Sequence, residues 1–273
     1  MEIAEAREYL KRIGEGSEGP REIALAALMF AVLDNPQTKI EPYRAHLTEL
    51  GEAARAEIEH MADAEMAGLG LGRVMRRRYG YDGDRTQYDD PRNADLIAVI
   101  QRRRGLPVAL GILYMHAARA AGLGAQGLSS PGHFLLVVTT EDGEAVLDPY
   151  NGGTAVERER LKGPPLLSEF GNPAERGGLE TVSDIEVLLR LQNNIKTRAL
   201  QRRDPERAIA VVSRMLLIAP SRPMLWLELG RLYESTGALG GARGACEKCL
   251  VGGDDPTSKE ARLALDSLKR RLN

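Results

Sequence analysis

Residues 20–35, PREIALAALMFAVLDN, are apolar on nearly every helical face, which predicts a buried helix with Pro20 in its first turn. Residues 40–66 predict a longer amphipathic helix, with Leu47, Leu50, Ala54 and Ile58 at three- and four-residue spacing. The polar stretch 79–95, YGYDGDRTQYDDPRNAD, predicts an ordered loop. A third helical pattern, PVALGILYMHAARAAG, opens at Pro107 and stops at Gly122, so the chain reads as mostly helical to about residue 122. Its texture then changes. Residues 124–153, GAQGLSSPGHFLLVVTTEDGEAVLDPYNGG, alternate short apolar runs with the breakers SPG and EDG, which predicts antiparallel strands. The Pro- and Gly-rich segment 163–178 reads as a wrap around this first domain, and helical patterning resumes near residue 183.

The helical tail carries a repeat. Trp226, Leu229, Gly230 and Tyr233 in WLELGRLY match the W-x2-L-G-x2-Y opening of a tetratricopeptide (TPR) unit, and Ala242 continues it. One period of 34 residues earlier, Ala208 matches Ala242 and Ile195 matches Leu229, which marks a degenerate preceding unit. Pro220 stands where a repeat ends. A closing helix is predicted from a capping box, Thr257 and Glu260, and from the seam Ala261, Leu265, Leu268 and Leu272. These features predict domains over 1–182 and 183–273.

Composition narrows the classes. With 43% hydrophobic and 28% charged residues the 273-residue chain has a soluble, globular make-up. A net charge of −2 argues against broad affinity for nucleic acid or acidic membranes. The first residues alternate charges without a signal-peptide core, no apolar run reaches membrane-spanning length, and two cysteines are too few for a disulfide framework. A cytoplasmic protein is expected.

The sharpest chemical pair is His133, at the mouth of one strand, with Asp148, leaving the next. A hairpin would let the imidazole act as a base oriented by the carboxylate. The plain alternative is a strand histidine and a turn aspartate. Gly68, Gly70 and Gly72 in GLGLG follow a helical pattern and predict a helix break rather than a dinucleotide loop. GLSSPG has the wrong spacing for a serine-hydrolase elbow. Asp82, Asp84, Asp89, Asp90 and Asp95 offer carboxylates for a hard cation but lack calcium-loop spacing, and turn aspartates need no metal. Cys246 and Cys249 form a C-x-x-C at repeat positions that take small or apolar residues, so buried packing is expected of them. The triplets Arg76–Arg78 and Arg102–Arg104 flank the acidic loop and are expected to pair with it or to be solvated, while the second also offers an anion or peptide-carboxylate contact.

Taken together, RRRGLPVALGILYMHAARAAGLGAQGLSSPGHFLLVV, VLDPYNGG, the preceding YGYDGDRTQYDDPRNADL and the TPR pattern resemble the bacterial SirB-type family over about residues 20–250. These are transglutaminase-like domains joined to a short tetratricopeptide tail. The resemblance implies an α+β fold, a papain/transglutaminase-like core with a central helix on an antiparallel sheet, followed by an all-α TPR-like tail. In active members a nucleophilic cysteine opens the central helix, with the histidine and aspartate on neighbouring strands. Carried over, the histidine falls on His133, the aspartate on Asp148 and the cysteine at or beside Pro107. No cysteine precedes residue 246, no Ser or Thr lies between Arg102 and Leu128, and Ala109 replaces the hydroxyl residue many relatives carry.

The expectation is therefore a catalytically inactive protein, with no assigned catalytic residue and no cofactor or metal, that binds a protein or peptide partner. Its binding residues are Arg103, Arg104, Gly105, Pro107, His133, Asp148 and Asn151. Two alternatives stand beside it: an amidase or acyltransferase of unusual mechanism using His133 and Asp148, and a metal- or anion-binding regulator using the Asp-rich loop.

Overall fold

Helix α1 (Ile3–Gly14) buries one seam, Ala6, Leu10 and Ile13, whereas α2 (Ile23–Asp34) buries every residue from Ile23 to Leu33. The contrast follows the patterns: α1 has a polar face and α2 has none. The computed structural model describes residues 3–16, 22–130, 133–157, 180–252 and 256–272; the side chains of Ser129, Ser130, His133 and Leu272 lie outside that description. So does the segment 163–178, read from the sequence as a wrap.

Helix α3 (Glu41–Ile58) buries Leu47, Leu50, Ala54 and Ile58 as the spacing predicts. Helix α4 (Ala64–Gly72) starts at Asp63, whose carboxylate accepts the Met66 N–H at 2.9 Å. The expected break at Gly68, Gly70 and Gly72 is corrected, because the run stays helical and passes directly into a π turn, Arg73–Arg78. The glycines permit close approach instead. A Cβ on Gly68 would lie 2.8 Å from the Leu147 side chain, and one on Gly72 would lie 3.2 Å from the Gly152 carbonyl oxygen.

Helix α5 (Leu96–Arg102) leads to α6 (Pro107–Ala120), which is buried on several faces; Leu110, Ile112, Leu113 and Ala117 are inside, while Ala121, just beyond its end, is only half-buried. Two short strands before it, β1 (Asp82–Gly83) and β2 (Arg104–Gly105), pair in parallel. The main sheet holds β3 (Gly124–Ser130), β4 (His133–Thr140), β5 (Gly143–Asp148), β6 (Thr154–Ala155) and β7 (Glu180–Val182) in the order β6-β5-β4-β3-β7, antiparallel throughout. Alternation divides its residues. Phe134 meets α6 at Gly111, where a Cβ would fall 2.2 Å from the ring, and Leu128, Leu135, Val137 and Val146 form a separate cluster with Val156. The chain is thus mixed α+β, with a central helix on an antiparallel sheet.

Helix α7 (Asp184–Gln201) begins with Asp184 accepting two hydrogen bonds from Arg119, at 2.5 and 2.8 Å. The chain divides into two units within α7, between Leu191 and Gln192, and α1 groups with the C-terminal helices. The sequence division lay at 182/183 with the N-terminus in the first domain. α1 has its own reason to join the second unit, since a Cβ on Gly14 would strike the Leu217 carbonyl oxygen at 2.1 Å.

The second unit continues with α8 (Pro205–Ile218), α9 (Pro223–Ser235), α10 (Leu239–Cys249) and α11 (Pro256–Leu272). Gly230 and Ala242 lie where α9 and α10 approach: a Cβ on Gly230 would lie 3.0 Å from Cys246 Sγ and 3.4 Å from the Ala242 carbonyl oxygen. Ala208, Ile195, Ala261, Leu265 and Leu268 are buried. The capping box is corrected. Thr257 lies inside α11 with its hydroxyl 3.1 Å from Met224 Sδ, and Glu260 pairs with Arg231. No helix among the described residues is long and apolar enough to cross a membrane.

Candidate functional site

Helix α6 begins without a side-chain cap: Leu106 is the extended residue before it and Pro107 occupies its first turn. Proline suits that place because its fixed φ is already helical and its missing N–H is one the helix leaves free. A nucleophile at this helix start would gain from the positive end of the helix. Pro107 has no nucleophilic atom and no N–H to offer an oxyanion. Cys246 and Cys249 are buried thiols in α10, and burial pushes the Cys246 thiol upward, away from a reactive thiolate. Buried packing, as read from the repeat, is their place.

Asp148 closes β5 and is 8% exposed. Its Oδ1 accepts the N–H groups of Tyr150 and Asn151 at 2.9 and 3.1 Å, and its Oδ2 accepts Asn151 Nδ2 at 2.6 Å. The carboxylate therefore caps its own turn, Pro149–Asn151, which Gly152 and Gly153 leave at φ 72° and 76°. His133 opens β4, its backbone paired with Ser130. Its side chain lies outside the described residues, and so does the expected dyad.

The remaining expected binding residues fall into two groups. Arg103 ends α5 in the left-handed region at φ 58° and turns inward. Its guanidinium donates to Tyr81 Oη and, at 2.5 Å, to His46 Nε2, which also lies 2.8 Å from Tyr81 Oη. The plane of Arg103 stands 4.7 Å from the Tyr81 ring centre. Burial first, then the Arg103 charge, lower the His46 pKa to about 4, so this imidazole is neutral; burial likewise raises the Tyr81 phenol. Arg103 is thus half-buried and engaged by His46 and Tyr81. Gly105 is also structural, since a Cβ there would come within 3.0 Å of Val99.

The second group gathers at the Asp148 turn. Arg85 donates to Asn151 Oδ1 at 2.7 Å and to the Tyr150 carbonyl at 3.2 Å, and Arg76 donates to the Asn151 carbonyl at 3.4 Å. Both guanidiniums reach the same atom, Asp82 Oδ2, at 3.5 Å from Arg76 and 3.3 Å from Arg85. Tyr150 Oη donates to the Asp84 carbonyl at 2.9 Å, so the acidic loop is docked on the turn. Arg104, paired across from Asp82, donates to the carbonyls of Gly80 and Arg103, both at 2.9 Å. Beneath the turn lies the buried Tyr114 phenol, which has no hydrogen-bond partner among the described residues and whose oxygen a Cβ on Gly153 would meet at 3.0 Å.

Sequence reasoning missed His46, Tyr81, Arg85 and Tyr114. His46 lies 57 residues from Arg103 and Arg85 lies 66 from Asn151, so no local spacing marks either pair.

The aspartates are mostly occupied within the loop. Asp84 accepts from Thr86, Gln87 and Arg102; burial opposes its ionisation, yet those donors hold its pKa at about 2. Asp90 and Asp95 cap the turns that follow, and Asp90 also pairs with Arg92. Arg102 reaches Asp84 at 2.9 Å, in keeping with arginines that pair with the acidic loop they flank. No group of three or more His, Cys, Asp or Glu among the described residues is arranged to hold a metal ion.

A family model described as the transglutaminase-like superfamily matches residues 41–193, and a tetratricopeptide repeat model matches 195–273. A UPF0162 protein of Xylella fastidiosa is 29% identical over 223 residues, covering 80% of this chain and 79% of the relative. A UPF0162 protein of Pseudomonas aeruginosa is 29% identical over 249 residues, 89% of each chain. Among solved structures, menin overlays with a TM-score of 0.46 at 11% identity, over 99% of this chain and 66% of menin, too loosely to carry an argument. With its central helix, its antiparallel sheet and a match over more than half its length, this chain belongs to the transglutaminase-like superfamily, with a tetratricopeptide repeat region following.

Proposed function

We propose that the chain is a catalytically silent, cytoplasmic transglutaminase-like/TPR protein of the SirB type that binds a protein or peptide partner. One observation carries the reading: the helix start where the superfamily's nucleophile belongs holds Pro107. Acyl transfer needs an attacking atom and a donor for the developing oxyanion, and proline supplies neither. The engagement of Asp148 in its own turn also supports it, because three of the carboxylate's acceptor sites already serve N–H groups of that turn. A tetratricopeptide region points, in general terms, to protein–protein interaction.

The test is amine incorporation into a glutamine-containing protein, and peptide hydrolysis, by wild type, His133→Ala and the double variant Cys246→Ala/Cys249→Ala. All three are expected to match the blank, since losing the nucleophile removes orders of magnitude of rate. Robust wild-type turnover that His133→Ala abolishes would overturn the reading and establish an amidase or acyltransferase.

A further inference from the structure

On a chain whose net charge is −2, exposed arginines gather around the Asp148 turn beside the acidic loop, in which Asp89 is also exposed. Arg76 and Arg85 reach this turn and Arg104 stands across from Asp82; all three are exposed. Among the described residues only one carboxylate, Asp82, lies within ion-pairing distance of any of them. That carboxylate offers one oxygen to two guanidiniums at 3.5 and 3.3 Å, whereas a charge-assisted pair normally closes to about 2.7–2.9 Å. The cations are thus held in place but only partly neutralised.

Their placement is built, not accidental. The Arg76 stem lies along Gly152, where a Cβ would fall 2.2 Å from its Cδ, and it projects from a π turn, a feature often found at functional sites. Arg85 is pinned by Asn151 and lies 5.2 Å from the centre of the Tyr150 ring. Tyr88, 45% exposed, meets that ring edge-on at 6.1 Å. Planar guanidiniums beside tyrosine rings are the composition of protein-recognition surfaces.

We infer that Arg76, Arg85 and Arg104, with Tyr88 and Tyr150, form a docking surface for an acidic peptide segment of a partner protein, whose Asp or Glu carboxylates the guanidiniums take up. The inference rests on the peptide-binding reading above and gives it a ligand chemistry. Charge complementarity selects the occupant: each guanidinium presents a fork matched to a carboxylate. A nucleic acid would bring phosphates to the same forks, but the chain as a whole lacks the positive charge that draws a polyanion.

The experiment uses the full chain and a fluorescein-labelled peptide of alternating Glu and Ala, followed by anisotropy. A Gln/Ala peptide and a single-stranded oligonucleotide of equal length are the comparison probes. The Glu peptide is expected to bind, the Gln peptide not, and raising salt from about 50 to about 300 mM is expected to weaken binding. Arg76→Gln and Arg85→Gln are each expected to weaken it about tenfold, and Arg85→Lys less, while Arg243→Gln on α10 leaves it unchanged. Arg104→Gln guards against misfolding. Among the described residues its guanidinium hydrogen-bonds to carbonyls alone, so its melt is expected to match wild type while its binding weakens. Absence of Glu-peptide binding, binding indifferent to these arginines, or tighter capture of the oligonucleotide would each overturn the inference. Failure here with a silent transamidation assay sinks only this surface, whereas turnover in that assay sinks the pseudoenzyme reading itself.

Discussion

Gly111 on α6 and Gly230 on α9 each stand where another element comes within reach of a helix backbone, but the room left beside them differs. A Cβ on Gly111 would fall 2.2 Å from the ring of Phe134, a residue 1% exposed, while one on Gly230 would meet the Cys246 sulfur at 3.0 Å. In the first unit the neighbour is a rigid ring fixed between a central helix and a strand. In the second it is one soft sulfur on the partner helix of the same hairpin. The difference teaches where each unit holds its precision. At α6 the helix meets a sheet residue, and at α9 it meets the next helix of its own hairpin.

The largest expected effect tests the tighter contact. Gly111→Ala should cost about 3 kcal/mol or more by overpacking, read as a fall in the urea midpoint, and a loss below about 1 kcal/mol would break the comparison. Next comes the first unit's half-buried imidazole, His46. The His46 pKa of about 4 in the folded chain lies below the unfolded value near 6.5, so the unfolded state binds a proton first as pH falls. Stability should therefore decline from pH 6.5 to about 4, by about 3 kcal/mol at most, and be fully lost from this source below that. Urea melts of His46→Gln across the window should show a flatter decline than wild type.

The repeat should respond less. Ala242→Leu places bulk at a fully buried position and is expected to cost about 1–3 kcal/mol; an unchanged thermal melt would count against the hairpin contact. Gly230→Ala should have the smallest effect, because replacing a helical glycine gains about 1 kcal/mol and the sulfur needs to shift only slightly. A loss above about 2 kcal/mol at Gly230 would show that the α9–α10 contact is packed as tightly as that of α6 with β4.

Legibility follows the same division. Trp226, Leu229, Gly230, Tyr233 and Ala242 reveal the repeat by their spacing, and Gly230 and Ala242 meet within one hairpin, where sequence spacing and spatial spacing agree. The all-apolar pattern of α2 and the heptad-like seam of α3 were legible for the same reason. The acidic loop was readable as ordered, since aspartates that cap turns act over two or three residues. What GLGLG does was not readable: its glycines look like a break but serve approach to Leu147 and Gly152, distant in sequence. Arg103 reads as a surface ligand from its neighbours Arg102 and Arg104, yet His46 and Tyr81 draw it inward.

By itself the sequence determined the α+β class, the antiparallel strands, the repeat and the absence of a nucleophile near Pro107, because each is set by local pattern or by residue identity alone. Only the tertiary structure decided which arginines face solvent around the Asp148 turn, which one is sunk beside His46, and that Asp82 is shared between Arg76 and Arg85. Those outcomes depend on chain segments brought together across tens of residues. Charge and hydrogen bonding act through distance in space, which spacing along the chain does not record.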